Sequence, residues 1–344
     1  MEHCAGGRKP GLRISIVATV KNEADSVDHL LQSILEQARR PDEVIIVDGG
    51  SSDDTLDKLR IWEASRRLPL HVLEEPGCNI SKGRNTAIAA ATGTVVAVTD
   101  AGVRLDKHWL AELMQVFESS RQPPTSVIAC GFFIPETHST FEVAMAATVL
   151  PALQDIRPAT FLPSSRSVAY HKDAWQASGG YPDWLDYCED LVFDLRLRAL
   201  GYQMRFVPKA IVYFRPRSSL GSFFRQYYRY ARGDGKAGLW PKRHAARYVT
   251  YLGALPLSVT MAIAQDMRWL MLLPIGAIIM LWTPYKRLWS MRGDLGLVQR
   301  LQAVFLVPLI RVIGDIAKMV GYPVGLWWRF RNRALVPDWH AAQD

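Results

Sequence analysis

The chain has 344 residues, 49% hydrophobic and 22% charged, a length suited to about two ordinary domains and a composition that excludes wholesale disorder. Its net charge of +8 is split: residues 1–200 hold 20 Lys and Arg against 27 Asp and Glu, while residues 201–344 hold 21 against 6 and seven of the 11 Trp. An acidic part followed by a basic, Trp-rich part points to two environments, with a membrane surface as the first partner for the second part and nucleic acid as the other.

In chain order, Ile14 to Val20 is a β-rich run. Val27, Leu30, Leu31, Ile34 and Leu35 then recur on one helical face. Val44 to Val47 reads as a second strand. Leu56, Leu59 and Trp62 mark a helix opened by the Ser/Asp cluster at 51–54. His71 to Leu73 is a third strand, 81–91 a third helix and Thr94 to Thr99 a fourth strand. Trp109, Leu110, Leu113, Met114 and Phe117 form another helical stripe. This alternation implies a parallel sheet covered by helices on both faces, with ligands at the carboxyl ends of the strands. Asp48 and Asp100 stand at two such ends. Val127 to Phe133, Arg166 to Tyr170 and Met204 to Phe214 read as later strands, and Glu189 to Leu200 as a helix with acids in its first turn. The α/β domain is expected over residues 10–217.

Beyond it, Leu220, Phe223, Phe224, Tyr227 and Ala231 share one helical face, and Arg225, Arg229 and Arg232 the opposite one. The spacing predicts a basic amphipathic helix within 218–245, ended by Gly233-Asp-Gly235, which would allow a mobile lid. Two uncharged runs follow, Tyr248 to Ala264 and Trp269 to Tyr285, joined by Gln265-Asp-Met-Arg268. Lys242, Arg243 and Arg247 flank one side, and Lys286, Arg287 and Arg292 the other. The pattern predicts a membrane hairpin over 246–287 with its flanks cytosolic, and a buried hairpin of a soluble protein is the alternative. Leu297 to Val320, broken by Pro308, is expected to lie in the interface or against the hairpin. Trp327, Trp328, Arg329, Arg331 and Arg333 complete, over 297–333, a tail suited to anionic lipid. Cys4, Cys78, Cys130 and Cys188 show no paired spacing, so neither a zinc site nor a disulfide framework is expected. The short first apolar run argues against a secretory signal.

Five segments resemble, in order and spacing, the family-2 glycosyltransferases, inverting enzymes of the glycosyltransferase A fold. They are Thr19-Val-Lys-Asn-Glu-Ala24, Val47-Asp-Gly-Gly-Ser-Ser-Asp-Asp-Thr55, Gly83-Arg-Asn85, Thr99-Asp-Ala-Gly102 and Glu189-Asp190. The resemblance covers residues 12–240. It implies a mostly parallel Rossmann-like sheet and a nucleotide-sugar donor held near Thr19, Asn22, Glu23, Asp48, Arg84 and Asp100. It implies Asp190 as the catalytic base with Glu189 beside it, and Mg²⁺ or Mn²⁺ on the pyrophosphate at Asp100. Lys21 stands where many relatives have an aromatic residue. Gly102 occupies the third position of the Asp-x-Asp element, and Val212-Tyr-Phe-Arg-Pro-Arg217 lacks the usual His. Arg215 and Arg217 are therefore expected to supply part of the positive charge. Gln226, Arg229 and Tyr230 resemble the Gln-x-x-Arg-aromatic element of processive and lipid-linked members, which lies near the pyrophosphate and the acceptor.

The expected function is a hexosyltransferase-type enzyme at the cell membrane. It would move sugar from a nucleotide donor to a lipid-linked or growing glycan acceptor on the cytosolic face, with no nucleic-acid partner. Sugar, nucleotide, acceptor and oligomeric state stay open. So do two other readings. One is a related nucleotidyltransferase, although Gly49-Gly50 is followed by Ser and Asp rather than a phosphate-binding Lys. The other is a non-catalytic membrane or nucleic-acid binding protein.

Overall fold

A computed structural model describes residues 12–119, 126–291 and 295–336. Cys4, residues 10 and 11 of the expected domain, and the flanking Arg292 lie outside these. β1 (Ile14–Val20) is buried at nearly every position because helices cover both faces of the sheet. Its alternation divides the core. Ile14, Ile16, Ala18 and Val20 pack with Leu30, Leu31 and Ile34 of α1 (Val27–Leu35) and with Trp109 and Leu113 of α4 (Trp109–Ser119). Val17 faces the other layer, with Ala87 and Ile88 of α3 (Ile80–Ala90) and Phe193 and Leu197 of α7 (Glu189–Ala199).

The other strands are β2 (Glu43–Asp48), β3 (Leu70–Glu74), β4 (Val95–Val98), β5 (Val103–Leu105), β6 (Val127–Pro135), β7 (Val168–His171) and β8 (Gln203–Phe214). They form one eight-stranded sheet in the order β3-β2-β1-β4-β7-β6-β8-β5. The α/β class holds, but the sheet is mixed. β3, β2, β1 and β4 are parallel, β7 runs antiparallel to β4 and β6, and β5 antiparallel to β8. The register pairs Val20 with Asp48 and Val17 with Val98, so the ends of β1, β2 and β4 open on one edge. Between strands lie α2 (Thr55–Ser65), α5 (Thr140–Val149) and α6 (Lys172–Ala177).

The C-terminal helices depart from the sequence expectation in two places. α8 (Leu220–Ala237) runs straight through Gly233 and Gly235. A Cβ on Gly233 would stand 2.5 Å from the Tyr187 carbonyl oxygen, and one on Gly235 2.8 Å from the Leu326 nitrogen, so these glycines permit close packing rather than end the helix. α12 (Leu297–Arg331) is one 35-residue helix that passes through Pro308 and Pro323. Ala303, Val307, Ile310, Gly314, Ala317, Gly321 and Gly325 recur every three or four residues along its buried face. That face packs on α8 and α5, and tertiary packing of this extent overrides a proline's local cost.

α9 (Pro241–Tyr248), a π-helical turn over 249–254 and α10 (Leu255–Ala264) follow one another without a break, and α11 (Leu272–Met291) comes after a short 3-10 turn. Among the described residues, one helical stretch, Met267–Met291, is long and apolar enough to cross a membrane. By that measure the expected two-span hairpin has one qualifying helix.

Candidate active site

The strand ends carry the first group of expected residues. Asp48 is buried; its Oδ2 accepts the Gly50 and Ser51 N–H groups at 2.9 Å, and its Oδ1 accepts the Ser51 hydroxyl. Asn22, with a left-handed backbone (φ 55°), donates its N–H to Ser51 Oγ and accepts the Ser52 N–H at 2.8 Å. The Glu23 N–H donates to Thr55 Oγ1 at 2.8 Å, and its carboxylate accepts the Ser26 hydroxyl. Asn22 and Glu23 therefore lock the β1–α1 loop to the β2–α2 loop, and Asp48 orders the start of the latter. The Glu23 carboxylate also lies 3.8 Å from where a Cβ on Gly102 would stand. Thr19 Oγ1 and Thr99 Oγ1 are buried without a partner at the same edge.

Arg84 is the hub. It is 2% exposed, and α3 aims it between two carboxylates: Nη1 donates to Glu189 at 2.5 Å and Nη2 to Asp100 at 2.6 Å. Its guanidinium sits 5.3 Å from the centre of the Tyr181 ring. Burial opposes the charge on Arg84, but Asp100 and Glu189 outweigh it and its pKa is raised. At Asp100 burial acts upward, and the guanidinium groups of Arg84 and Arg166 bring the net result below the ordinary carboxylate value.

Glu189 and Asp190 open α7 behind Cys188, whose left-handed backbone (φ 64°) turns the chain into the helix. The two acids have different surroundings. Glu189 is buried and tied to Arg84, and burial raises its pKa in spite of that arginine, with Asp190 adding repulsion. Asp190 is half-buried, accepts the Leu191 N–H at 2.9 Å, and has no ion pair among the described residues. Its pKa is raised as well, by burial first, against the pull of Arg84 and Arg166.

The segment leading into these acids is held from two sides. From α3, Asn79 and Asn85 donate to the Asp183 and Tyr181 carbonyls at 2.6 and 2.8 Å, and Ser81 to that of Leu185 at 2.9 Å. From α8, Arg229 donates to Tyr187 Oη at 3.1 Å, Arg232 pairs with Asp186, and Lys236 reaches the same carboxylate at 2.8 Å. The expected basic stripe is thus partly engaged: Arg229 and Arg232 bond to the segment before Glu189, with Arg232 half-buried while Arg225 and Arg229 stay exposed. Gln226 donates to Tyr230 Oη at 2.8 Å, and Tyr230 lies close enough to Arg166 to help raise its pKa against burial.

Arg166 is the site residue that sequence reading missed. It precedes β7 on a turn in which the Ser167 N–H donates to the Ser164 carbonyl at 3.0 Å. Its Nε lies 3.7 Å from Asp100, and its guanidinium 4.9 Å from the centre of the Phe214 ring. The expectation for Arg215 is corrected: it pairs at 2.9 Å with Glu142, a fully buried acid at the start of α5. Arg217 is exposed. The cations beside Asp100 are Arg84 and Arg166.

The donor set bears on the expected metal. Among the described residues no cluster of three or more His, Cys, Asp or Glu could hold an ion. Among the described residues, Asp100, Asp190 and a Glu189 pushed up to about 7 stand against Arg84 and Arg166, so the site has little positive excess for an incoming diphosphate. Asp100, to which the resemblance assigns the ion, faces Arg84 with one carboxylate oxygen at 2.6 Å and Arg166 with the other at 3.7 Å.

A partly parallel sheet edge with Thr19, Asp48 and Asp100 around a buried arginine, closed by an acidic pair at a helix start, defines a glycosyltransferase A arrangement. Residues 15–145 match the model for Glycosyl transferase family 2, and residues 95–308 that for Glycosyl transferase family group 2. The chain belongs to the family-2 glycosyltransferases. It is 24% identical over 206 residues to the O-antigen chain rhamnosyltransferase WbaN of Salmonella anatum, covering 55% of this chain and 62% of that protein. It is 22% identical over 252 residues to the poly-beta-1,6-N-acetyl-D-glucosamine synthase of Staphylococcus epidermidis, covering 70% and 59%. In both cases the match spans less than two thirds of the relative's own length. The mannosyltransferase PcManGT from Pyrobaculum calidifontis, in complex with GDP-Man and Mn²⁺, shares the fold with a TM-score of 0.58 at 20% identity, over 90% of this chain and 87% of that one. The nucleotidyltransferase and non-catalytic alternatives give way to this family.

Proposed function

We propose that this protein is an inverting, membrane-associated glycosyltransferase in which Asp190 is the base and Glu189 a structural counter-ion. The observation that carries the reading is the division of the acidic pair: Arg84 engages Glu189 and leaves Asp190 available. An acceptor hydroxyl oxygen forms its bond to the anomeric carbon from the face opposite the leaving group, and its proton passes to Asp190. The bond from that carbon to the diphosphate oxygen breaks, and its electron pair leaves with the nucleoside diphosphate. A raised pKa suits Asp190 to accept a proton near neutral pH. Arg84 and Arg166 face the leaving charge. Mg²⁺ or Mn²⁺ at Asp100 would supply the remaining neutralisation when bound with the donor.

The acceptor is proposed to be lipid-linked or a growing glycan, and the enzyme to work on the cytosolic face of the cell membrane. Supporting this, α10, α11 and α12 expose a broad apolar surface that includes Ile263, Ile279, Trp282 and Phe305. Cations flank it at Lys242, Arg243, Lys286 and Arg287. The test is a screen of nucleotide sugars with protein in detergent, reading nucleoside diphosphate release, followed by the anomeric configuration of the product. Inversion is expected; a product that retains the donor's configuration would overturn the single-base mechanism.

A further inference from the structure

The last turns of α12 and the 3-10 turn that follows form an open groove of about 470 Å³ lined by Leu326, Trp327, Arg329, Phe330 and Arg333. We propose that this groove binds the phosphate-bearing end of an anionic phospholipid, with its chains along Trp327 and Phe330. The proposal rests on the membrane-associated reading above and goes beyond it by naming a headgroup site.

Three observations support it. First, no carboxylate among the described residues pairs with the groove's charge. Among the described residues, the contacts of the local guanidinium groups are to rings and a carbonyl, not to carboxylates: Arg331 over Trp327 at 3.9 Å, Arg333 over Phe330 at 4.7 Å, and Arg329 to the Lys236 carbonyl at 3.3 Å. Arginine's planar fork matches a phosphate, and rings that hold the fork in place lessen the ordering cost of binding. Second, the apolar half of such a ligand is provided for. Leu326, Trp327 and Phe330 are 42%, 55% and 66% exposed, and they continue the apolar outer row of Ile316, Val320 and Val324 on the same helix. Exposed rings beside cations suit the boundary between headgroups and chains, where one end of the ligand is wet and the other dry. Third, the groove is built on a fixed part of the fold. Trp328, between the lining residues, stacks on Trp184 at 6.2 Å with 12° between the planes, and Lys236 lies over the Trp328 ring at 4.7 Å. Trp184 belongs to the segment that leads into Asp190, so a lipid held here would fix the height of the catalytic loop above the bilayer.

The test is flotation of the full-length protein with vesicles of phosphatidylcholine alone and of phosphatidylcholine with phosphatidylglycerol. Wild type, Arg329→Gln/Arg333→Gln and Arg329→Lys/Arg333→Lys are compared. The wild type is expected to prefer the anionic vesicles. The Gln double variant is expected to lose roughly 10- to 30-fold of its affinity for them, from two charges near the surface. Its binding to phosphatidylcholine should be unchanged, and the Lys variant should recover part of the loss. Equal wild-type binding to both vesicles would overturn the headgroup site while leaving membrane association standing. Equal loss of the Gln variant from both vesicles would also overturn it, by showing a structural role for the arginines. Wild type that floats with neither vesicle would overturn the membrane reading itself. Release by excess inorganic phosphate at matched ionic strength would make this a free-phosphate site and refute the lipid assignment.

Discussion

Replacing Arg84 by Gln should destabilise the protein through the two acids it leaves behind. Glu189 and Asp100, with side chains 8% and 25% exposed, would each lose a charge-assisted hydrogen bond, at 2.5 and 2.6 Å. Removing one member of a buried ion pair typically costs about 3–5 kcal/mol, because the remaining charge stays desolvated. For a chain of 344 residues, that corresponds to a melting temperature lower by roughly 4–7 °C. The difference should depend on pH with a definite sign. Asp100 is held below its ordinary value in the wild type, so its stabilising contribution is present above the ordinary value and fades as pH falls through the lowered one. In the variant, acid protonates the orphaned carboxylates and relieves their cost. The gap is therefore widest near pH 8 and narrows on acidification. Thermal unfolding of both proteins from pH 8 down to pH 3 measures it, with Glu189, pushed up to about 7, protonating in the upper part of that range and Asp100 in the lower. A variant that melts with the wild type at pH 8, or a gap that widens in acid, would refute the argument that Arg84 holds this site together.

Two further outcomes follow from the same geometry. Chelation should suppress transfer and weaken nucleoside diphosphate binding, with Mn²⁺ or Mg²⁺ restoring both, because the acids beside Arg84 and Arg166 leave little excess positive charge for the diphosphate; binding unchanged in excess chelator, read by calorimetry, would show that the protein's own cations suffice. Gly321→Ala should lower the melting temperature, since its Cβ would clash with the Tyr228 carbonyl oxygen and crowd the Arg232 nitrogen at 3.2 Å, both backbone atoms of α8. That overpacking, about 1–3 kcal/mol, should exceed the gain of about 1 kcal/mol in helix propensity, whereas Gly253→Ala, with nothing within 4 Å, should show no such loss.

The strands and helices that were legible in the sequence are those with a strong period. α1 and α4 follow their apolar stripes, and β1 coincides with its β-rich run. β5 has only three residues, and α5 is apolar around most of its circumference because α11 and α12 cover it, so neither shows a periodic signal. Gly233, Gly235 and Pro308 suggested helix ends by local propensity, and packing of α8 on α12 overrode them. At the site, Asp100, Glu189 and Asp190 were legible through their motifs, but the different surroundings of the two acids were not. Arg84 lies 105 residues from Glu189 in the chain, and no local pattern indicates that it selects Glu189 over Asp190. Arg166 escaped notice for the same reason: its partners Asp100 and Tyr230 come from distant segments. Arg215 misled because the buried charge that attracts it, Glu142, sits in the unrecognised α5.

The central claim is that Asp190, not Glu189, takes the acceptor's proton. It is tested most directly by the turnover of Asp190→Asn and Glu189→Gln alongside nucleoside diphosphate binding to each. A positioned base contributes about 10²- to 10⁴-fold, so Asp190→Asn should lose that much turnover while keeping donor binding, because the carboxylate acts mainly in the transition state. Glu189→Gln should keep measurable turnover and instead lower the melting temperature, as the buried Arg84 loses its charged partner. Near wild-type turnover in Asp190→Asn, with the large loss in Glu189→Gln, would contradict the account.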